Sequence, residues 1–371
     1  MCKHPKPIKK RDKMKLGITG STKSGKTTIF NAITKLNAPI NTYDNKIEPN
    51  VGIVQVLDDR VTELSKLYKP QKTIYANIEV LDFPAMQREN ENHEFLSPTS
   101  MGLLKTTDAL IIVLRNFTDP YRDETTKKSN PINELKAILE EFMLSDLYSA
   151  ERRLEKIELN FKRGVKPATA LIEEKALRIA IESINNNIPL SKVNFQEAEM
   201  NAIKGYNFTS IKPFMIILNS GESNFAKNVS LLNELNTHAP TIEIAGQFEM
   251  ELSKMHDEEA AIFREDMNIS ESAMIRTVNK AYELLGNLSF FTVGSDEVRA
   301  WTIQNGDNAI TAAGKIHSDL ARGFIRAETF NYEDIIKHGN EKTLREKGLY
   351  RLEGKTYIVK DGDIIFVRFN V

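Results

Sequence analysis

Two glycines, a lysine and a hydroxyl at fixed spacing are the residues of this chain best suited to chemistry. Gly20-Ser21-Thr22-Lys23-Ser24-Gly25-Lys26-Thr27 fits the pattern G-x-x-x-x-G-K-[ST], with Thr28 following. Gly20 and Gly25 permit backbone dihedrals and close approaches that a side chain would block. The N–H groups of such a loop turn inward as an anion nest at a helix N-terminus. Lys26 supplies a point charge for the outer phosphates, and the Thr27 hydroxyl is placed to ligate Mg2+. A nucleotide-phosphate site is expected here.

The flanking elements must hold this loop open. Met14, Leu16 and Ile18 read as a strand before it, and Ile29, Phe30 and Ile33 as the apolar face of a helix after it. Residues 73–81 alternate as a second strand and deliver Asp82, where such folds hold Mg2+, usually through water. Ala109 to Leu114 is a continuous apolar run, as in a strand buried on both faces of a parallel sheet. Residues 213–218 end in Asn219-Ser220-Gly221-Glu222, and 241–245 end at Ala245. Strands with polar tips, separated by helices, describe a doubly wound α/β domain with its ligand at the carboxyl edge. Residues 14–130 and 206–286 are assigned to it.

Residues 131–205 are assigned to a helical insert. Its apolar positions Leu147, Ala150, Leu154, Ile157 and Phe161 step as a heptad seam, broken at Gly164 and Pro167. A second seam runs through Leu177, Ile181, Ile184 and Ile188, so an antiparallel coiled-coil hairpin is expected. It either packs on its own domain or projects toward a partner. Residues 287–371 read as a small α+β module with strands at 290–293, 299–303, 355–359 and 364–369. Arg322 and Arg326 flank Phe324 and Ile325 there, as an RNA-phosphate contact or as ordinary surface arginines.

The composition excludes several classes. With 371 residues, 41% hydrophobic and 27% charged, the chain suits about two to three globular domains. No apolar run approaches the ~20 residues that cross a bilayer. The single cysteine, Cys2, leaves no intrachain disulfide framework and no cysteine zinc cluster, in keeping with a reducing cytoplasm. A net charge of −1 gives no global attraction to nucleic acid. Residues 1–13 form a basic tail, either a disordered segment or a polyanion-binding arm.

These motifs together resemble the YchF / Obg-like ATPases among translation-factor-related P-loop proteins. The resemblance is carried by the phosphate loop, by Ile47-Glu48-Pro49-Asn50 with the residues to Pro70, and by Ser149 to Glu158. Most specific is the run from Phe290 to Val371. It implies a Ras-like nucleotide domain, a coiled-coil insert and a C-terminal ubiquitin-like TGS domain. It also implies hydrolysis of ATP to ADP and phosphate, and ribosome or ribosomal-RNA association. A cytoplasmic monomer is expected, with neither membrane nor DNA as partner. GTPases read guanine with Asn-Lys-x-Asp; here Ser220 replaces the lysine and Glu222 the aspartate, which points to ATP over GTP.

Three departures from the family pattern bear on turnover. Asp82-Phe83-Pro84-Ala85-Met86 stands where Asp-x-Ala-Gly and an apolar residue are usual. Lys46 replaces a Mg2+-binding threonine, although Thr42 is near in sequence. Lys23 stands where the family has an asparagine that helps hold a monovalent cation. Its ammonium either takes the place of K+, making Lys23 a catalytic partner of Lys26, or points into solvent. The expected enzyme is therefore a slow ATPase. A nucleotide-dependent binding protein without useful turnover, or a conventional GTPase, is the alternative.

Overall fold

The computed structural model describes residues 14–40, 48–83, 98–118 and 130–370; the basic tail, Thr42, Lys46 and Pro84 to Met86 lie outside them. The chain opens with β1 (Met14–Thr19), α1 (Lys26–Thr34), β2 (Asn50–Val56), α2 (Asp59–Tyr68), β3 (Lys72–Ile74) and β4 (Ala76–Asp82). Next come α3 (Pro98–Leu104), β5 (Ala109–Asn116), α4 (Pro131–Lys162), α5 (Ala168–Asn185) and α6 (Glu197–Ile203). The sheet resumes with β6 (Phe214–Ser220), α7 (Val229–Asn236), β7 (Thr241–Ile244), α8 (Gly246–Leu252), α9 (Asp257–Asp266) and α10 (Ala273–Leu284). The C-terminal elements are β8 (Asn287–Thr292), β9 (Glu297–Gln304), α11 (Ala309–Ile316), α12 (Ser318–Arg322) and β10 (Phe324–Asn331). They close with α13 (Tyr332–His338), α14 (Glu341–Glu346), β11 (Arg351–Glu353) and β12 (Asp363–Phe369).

The chain divides into two compact units, one of Lys15–Gly52 with Glu79–Thr277, the other containing Ile53–Ile78 and Val278–Val371. In the first, the strand order is β2-β4-β1-β5-β6-β7, with β1, β5, β6 and β7 mutually parallel. From β1 the chain builds outward to β2 and β4 on one side and later to β5, β6 and β7 on the other. The carboxyl ends beside β1 and β5 are thus the switch point at which open α/β sheets bind ligands.

Ala109 to Leu114 are each at most 1% exposed, so the continuous apolar run is indeed a strand covered on both faces. Leu110, Ile112 and Leu114 pack with Ile216 and Leu218 of β6 and with Leu135, Ile138 and Phe142 of α4. Each large side chain buried this way stabilises the unit by about 1.5–3 kcal/mol. The start of α4 is fixed locally: Asn130 accepts hydrogen bonds from the N–H groups of Ile132 (3.0 Å) and Asn133 (3.3 Å), and Pro131 takes the first turn.

α4 and α5 form a hairpin. Met143, Ala150 and Ile157 recur every seventh residue and are buried against Ala176, Leu177, Ala180 and Ile184. Ile188 departs from the expected seam: it is exposed, because α5 has ended at Asn185 and Asn187 turns the chain through a left-handed φ of 58°. The returning chain is fastened to α4 by Asp146. Its buried carboxylate accepts from the N–H groups of Thr209 (2.9 Å) and Ser210 (2.7 Å) just before β6.

In the second unit the strand order is β11-β10-β12-β8-β9-β3. α11 covers this sheet, with Ala309, Ala312 and Ala313 against Leu288, Phe290, Ile303, Phe324 and Ile365. Two expectations need correction. The single strand foreseen at 73–81 is two, and β3 pairs in parallel with β9, Thr73 opposite Val298. Arg60 of α2 adds to this, donating to Asp58 (2.9 Å) and Asp361 (2.6 Å) with its guanidinium 5.1 Å over the Phe291 ring. Residues 53–78 cluster with the C-terminal elements, although β2 and β4 at their two ends are strands of the first sheet. The strand foreseen at 355–359 is a turn with one isolated bridge at Ile358, since the Tyr357 N–H closes back onto the Gly354 carbonyl (3.2 Å). Among the described residues no helix is long and apolar enough to cross a membrane.

Candidate functional site: a phosphate loop at the switch point of the sheet

β1 ends at Thr19 because Gly20 turns away with φ 150°; a Cβ there would stand 2.4 Å from the Val113 carbonyl oxygen of β5. Gly25 caps α1 with φ 90°. Between them Lys23 also has a left-handed backbone (φ 62°), a conformation costing a non-glycine residue on the order of 1 kcal/mol or more. The Lys23 and Thr22 side chains are exposed, Ser24 and Thr28 are buried, and the Ser24 hydroxyl has no hydrogen-bond partner among the described residues. Lys26 lies under the loop. Its ammonium donates to the carbonyls of Gly20 (3.0 Å) and Ser21 (2.7 Å). Burial lowers this ammonium to about 8, against the opposing pull of the Asp82 and Glu134 carboxylates.

The structure brings Thr27 and Asp82 together. The Thr27 hydroxyl donates to Asp82 Oδ2 (2.9 Å), and the Asn50 amide donates to the same oxygen (3.1 Å). Asp82 Oδ1 is buried with no partner among the described residues. Burial raises the carboxyl above its usual range, against the hydrogen bonds from Asn50 and Thr27 and the charge of Lys26. A desolvated carboxylate with a free oxygen, next to a hydroxyl, suits a hard divalent cation. The donor set fits Mg2+.

Asn219 at the end of β6 is a clamp. Its amide donates to the Ser24 carbonyl (2.9 Å) and its oxygen accepts from the Gly246 N–H (3.1 Å), joining the phosphate loop to the start of α8 just after the buried Ala245. Both neighbours must be glycine: a Cβ on Gly25 would lie 2.1 Å from Asn219 Nδ2, and one on Gly246 2.5 Å from its Oδ1. Glu222 is exposed in the turn after β6. That turn is braced from β5 and β7: Asn116 donates to Ser220 Oγ (2.8 Å), which donates to Glu243 (2.5 Å).

The chain is 35% identical over 363 residues to the ribosome-binding ATPase YchF of Bacillus subtilis, covering 96% of this chain and 99% of that one. The protein of the same description from Escherichia coli O157:H7 is 34% identical, with coverage of 96% and 99%. The chain belongs to the YchF family. Residues 288–370 also match the YchF-GTPase_C family model, described as a protein of unknown function (DUF933). Among solved structures, the Schizosaccharomyces pombe YchF GTPase superposes with a TM-score of 0.82 at 27% identity, covering 96% of this chain and 97% of that one.

Within this YchF-family site, five residues lie beyond what the sequence motifs point to. Asn50 was visible as part of Ile47-Glu48-Pro49-Asn50, but nothing local said that its amide would reach Asp82. Phe117 presents its ring 3.8 Å from a Cβ position on Gly25 and its Cβ 3.4 Å from that on Gly221, so it lies between the phosphate loop and the β6 turn. The Arg115 guanidinium sits 4.7 Å from the centre of that ring. Asn116 braces the same turn. Glu134, in the first turn of α4, accepts the Ser21 hydroxyl on Oε1 and the Arg115 N–H (3.5 Å) on Oε2. Burial raises its carboxyl above the usual range, against those hydrogen bonds and the charge of Lys26. Its helix position is 113 residues from its partner, so no spacing rule reveals it.

Proposed function

We propose that this chain binds ATP with Mg2+, hydrolyses it slowly to ADP and phosphate, and works as a monomer on the ribosome in the cytoplasm. The observation that carries the chemistry is the buried Lys26 ammonium beside the Thr27–Asp82 pair, under a loop whose backbone shape is that of a phosphate nest. The ribosome enters from kinship alone, through bacterial relatives described as ribosome-binding ATPases.

Loop N–H groups from Gly20 to Thr28 would hold the phosphates, and Lys26 would turn from the Gly20 and Ser21 carbonyls to the outer phosphate oxygens. Thr27 and Asp82 would hold Mg2+, which when bound neutralises charge developing on the phosphates. Phe117 offers a flat apolar wall between the phosphate loop and the β6 turn, suited to a nucleobase. Asn219 is committed to Ser24 and Gly246, so it orders the loop rather than reading the base. Base choice then falls to the turn at Glu222, and Glu222 in place of an aspartate supports ATP. Calorimetric titration with ATP, GTP, ADP and GDP should show tighter binding of the adenine pair; tighter GTP than ATP overturns this choice.

Lys23 belongs to the same proposal. Its exposed ammonium, on a strained loop residue, would lie over the bound phosphates in the place of a monovalent cation. ATPase rates measured in K+ and in Na+ should then be equal, and a strong requirement for K+ would count against this role.

A further inference from the structure

We propose that Glu134 links the phosphate loop to the α4–α5 arm, so that ATP binding changes the stability of the arm. This rests on the reading of the loop as an ATP-phosphate site. One carboxylate joins three elements: the Ser21 hydroxyl of the loop, the Arg115 N–H at the end of β5, and the first turn of α4. Ser21 is held from two directions. Its hydroxyl is tied to Glu134, and its carbonyl accepts from Lys26 (2.7 Å). Phosphates that draw the Lys26 ammonium away release the second hold, and the remaining one transmits the shift of Ser21 to Glu134.

α4 is well made to carry that shift. It is continuous for 32 residues from Pro131 to Lys162, and its far part packs against α5 through Ala150 and Ile157. Its middle is locked to the returning chain by Asp146. Because a ligand shifts an equilibrium only through different contacts in two states, the exchange of Lys26 between Ser21 and phosphate is the differential contact required. The link is reciprocal: a partner that holds the arm would alter ATP affinity by the same factor.

Hydrogen exchange of the full chain, with and without saturating ATP and Mg2+, tests this alongside calorimetry of ATP binding. ATP should slow exchange in α4 and α5 by about fivefold or more, the low end of coupling between linked sites. Ser21→Thr, which keeps the hydroxyl, should retain the response. At ATP concentrations that saturate each variant, as fixed by its own calorimetric titration, Ser21→Ala and Glu134→Ala should leave exchange in the arm unchanged. If the native chain binds no ATP, the nucleotide reading itself fails. If it binds ATP and the arm does not respond, or if both alanine variants respond as the native chain does, the link alone is overturned. Loss of ATP binding by both folded variants also overturns it, because Glu134 would then serve only the pocket.

Discussion

Lys26→Ala should lower single-turnover ATP hydrolysis by about a hundred- to a thousand-fold, the usual loss when one preorganised charge-stabilising group is removed. The side chain is buried at 6% exposure, and the loop encloses it through two carbonyls. Water cannot readily take over its place, which is why the loss should be large. Thermal melting followed in parallel separates chemistry from folding. The carbonyls left behind are those of buried Gly20 and half-buried Ser21, so the variant should melt at a lower temperature but still cooperatively. Turnover equal to that of the native chain would remove Lys26 from the mechanism and leave the loop as a binding element only.

The second large effect should come from Gly25→Ala. The added Cβ would meet Asn219 Nδ2 at 2.1 Å while the backbone holds a φ of 90° that alanine resists. Either Asn219 moves, abandoning Ser24 and Gly246, or the loop does. Asn219→Ala alone leaves two buried backbone groups unpaired, at about 1–3 kcal/mol each. Both variants should lower the melting temperature and weaken ATP binding. The double variant should cost less than the sum of the singles, because the clash disappears with the amide. Strict additivity in melting and in calorimetry would show that the two residues do not act through one contact.

Much of this site was legible in the sequence because its chemistry is local. The phosphate loop, its strand and its helix are contiguous, and Asp82 is announced by an alternating strand. Ala109 to Leu114 could be read as buried because parallel strands covered on both faces leave an unbroken apolar run. What was not legible depends on contacts between distant residues. Lys72 to Ile74 resembles any short strand; only pairing with β9 makes it part of the C-terminal sheet. Glu134 looks like an ordinary first-turn acid of a capped helix, and helix starts favour acids on electrostatic grounds alone. Ile188 continues the heptad arithmetic, yet a left-handed asparagine ends the helix first. At 355–359 alternation suggested a strand, whereas the hydrogen bond to Gly354 spent the backbone on a turn.

β5 and β6 are direct neighbours, in register from Leu110 opposite Phe214 to Asn116 opposite Ser220. Everything the chain does between them is therefore a detour that leaves the carboxyl end of β5 and returns to the amino end of β6, its parallel neighbour in the same sheet. The arm can gain or lose whole turns without asking any strand to move, and Asp146 seals the detour below its free end. Its length is thus open to adjustment by selection, as a handle's length can change without altering the lock it turns.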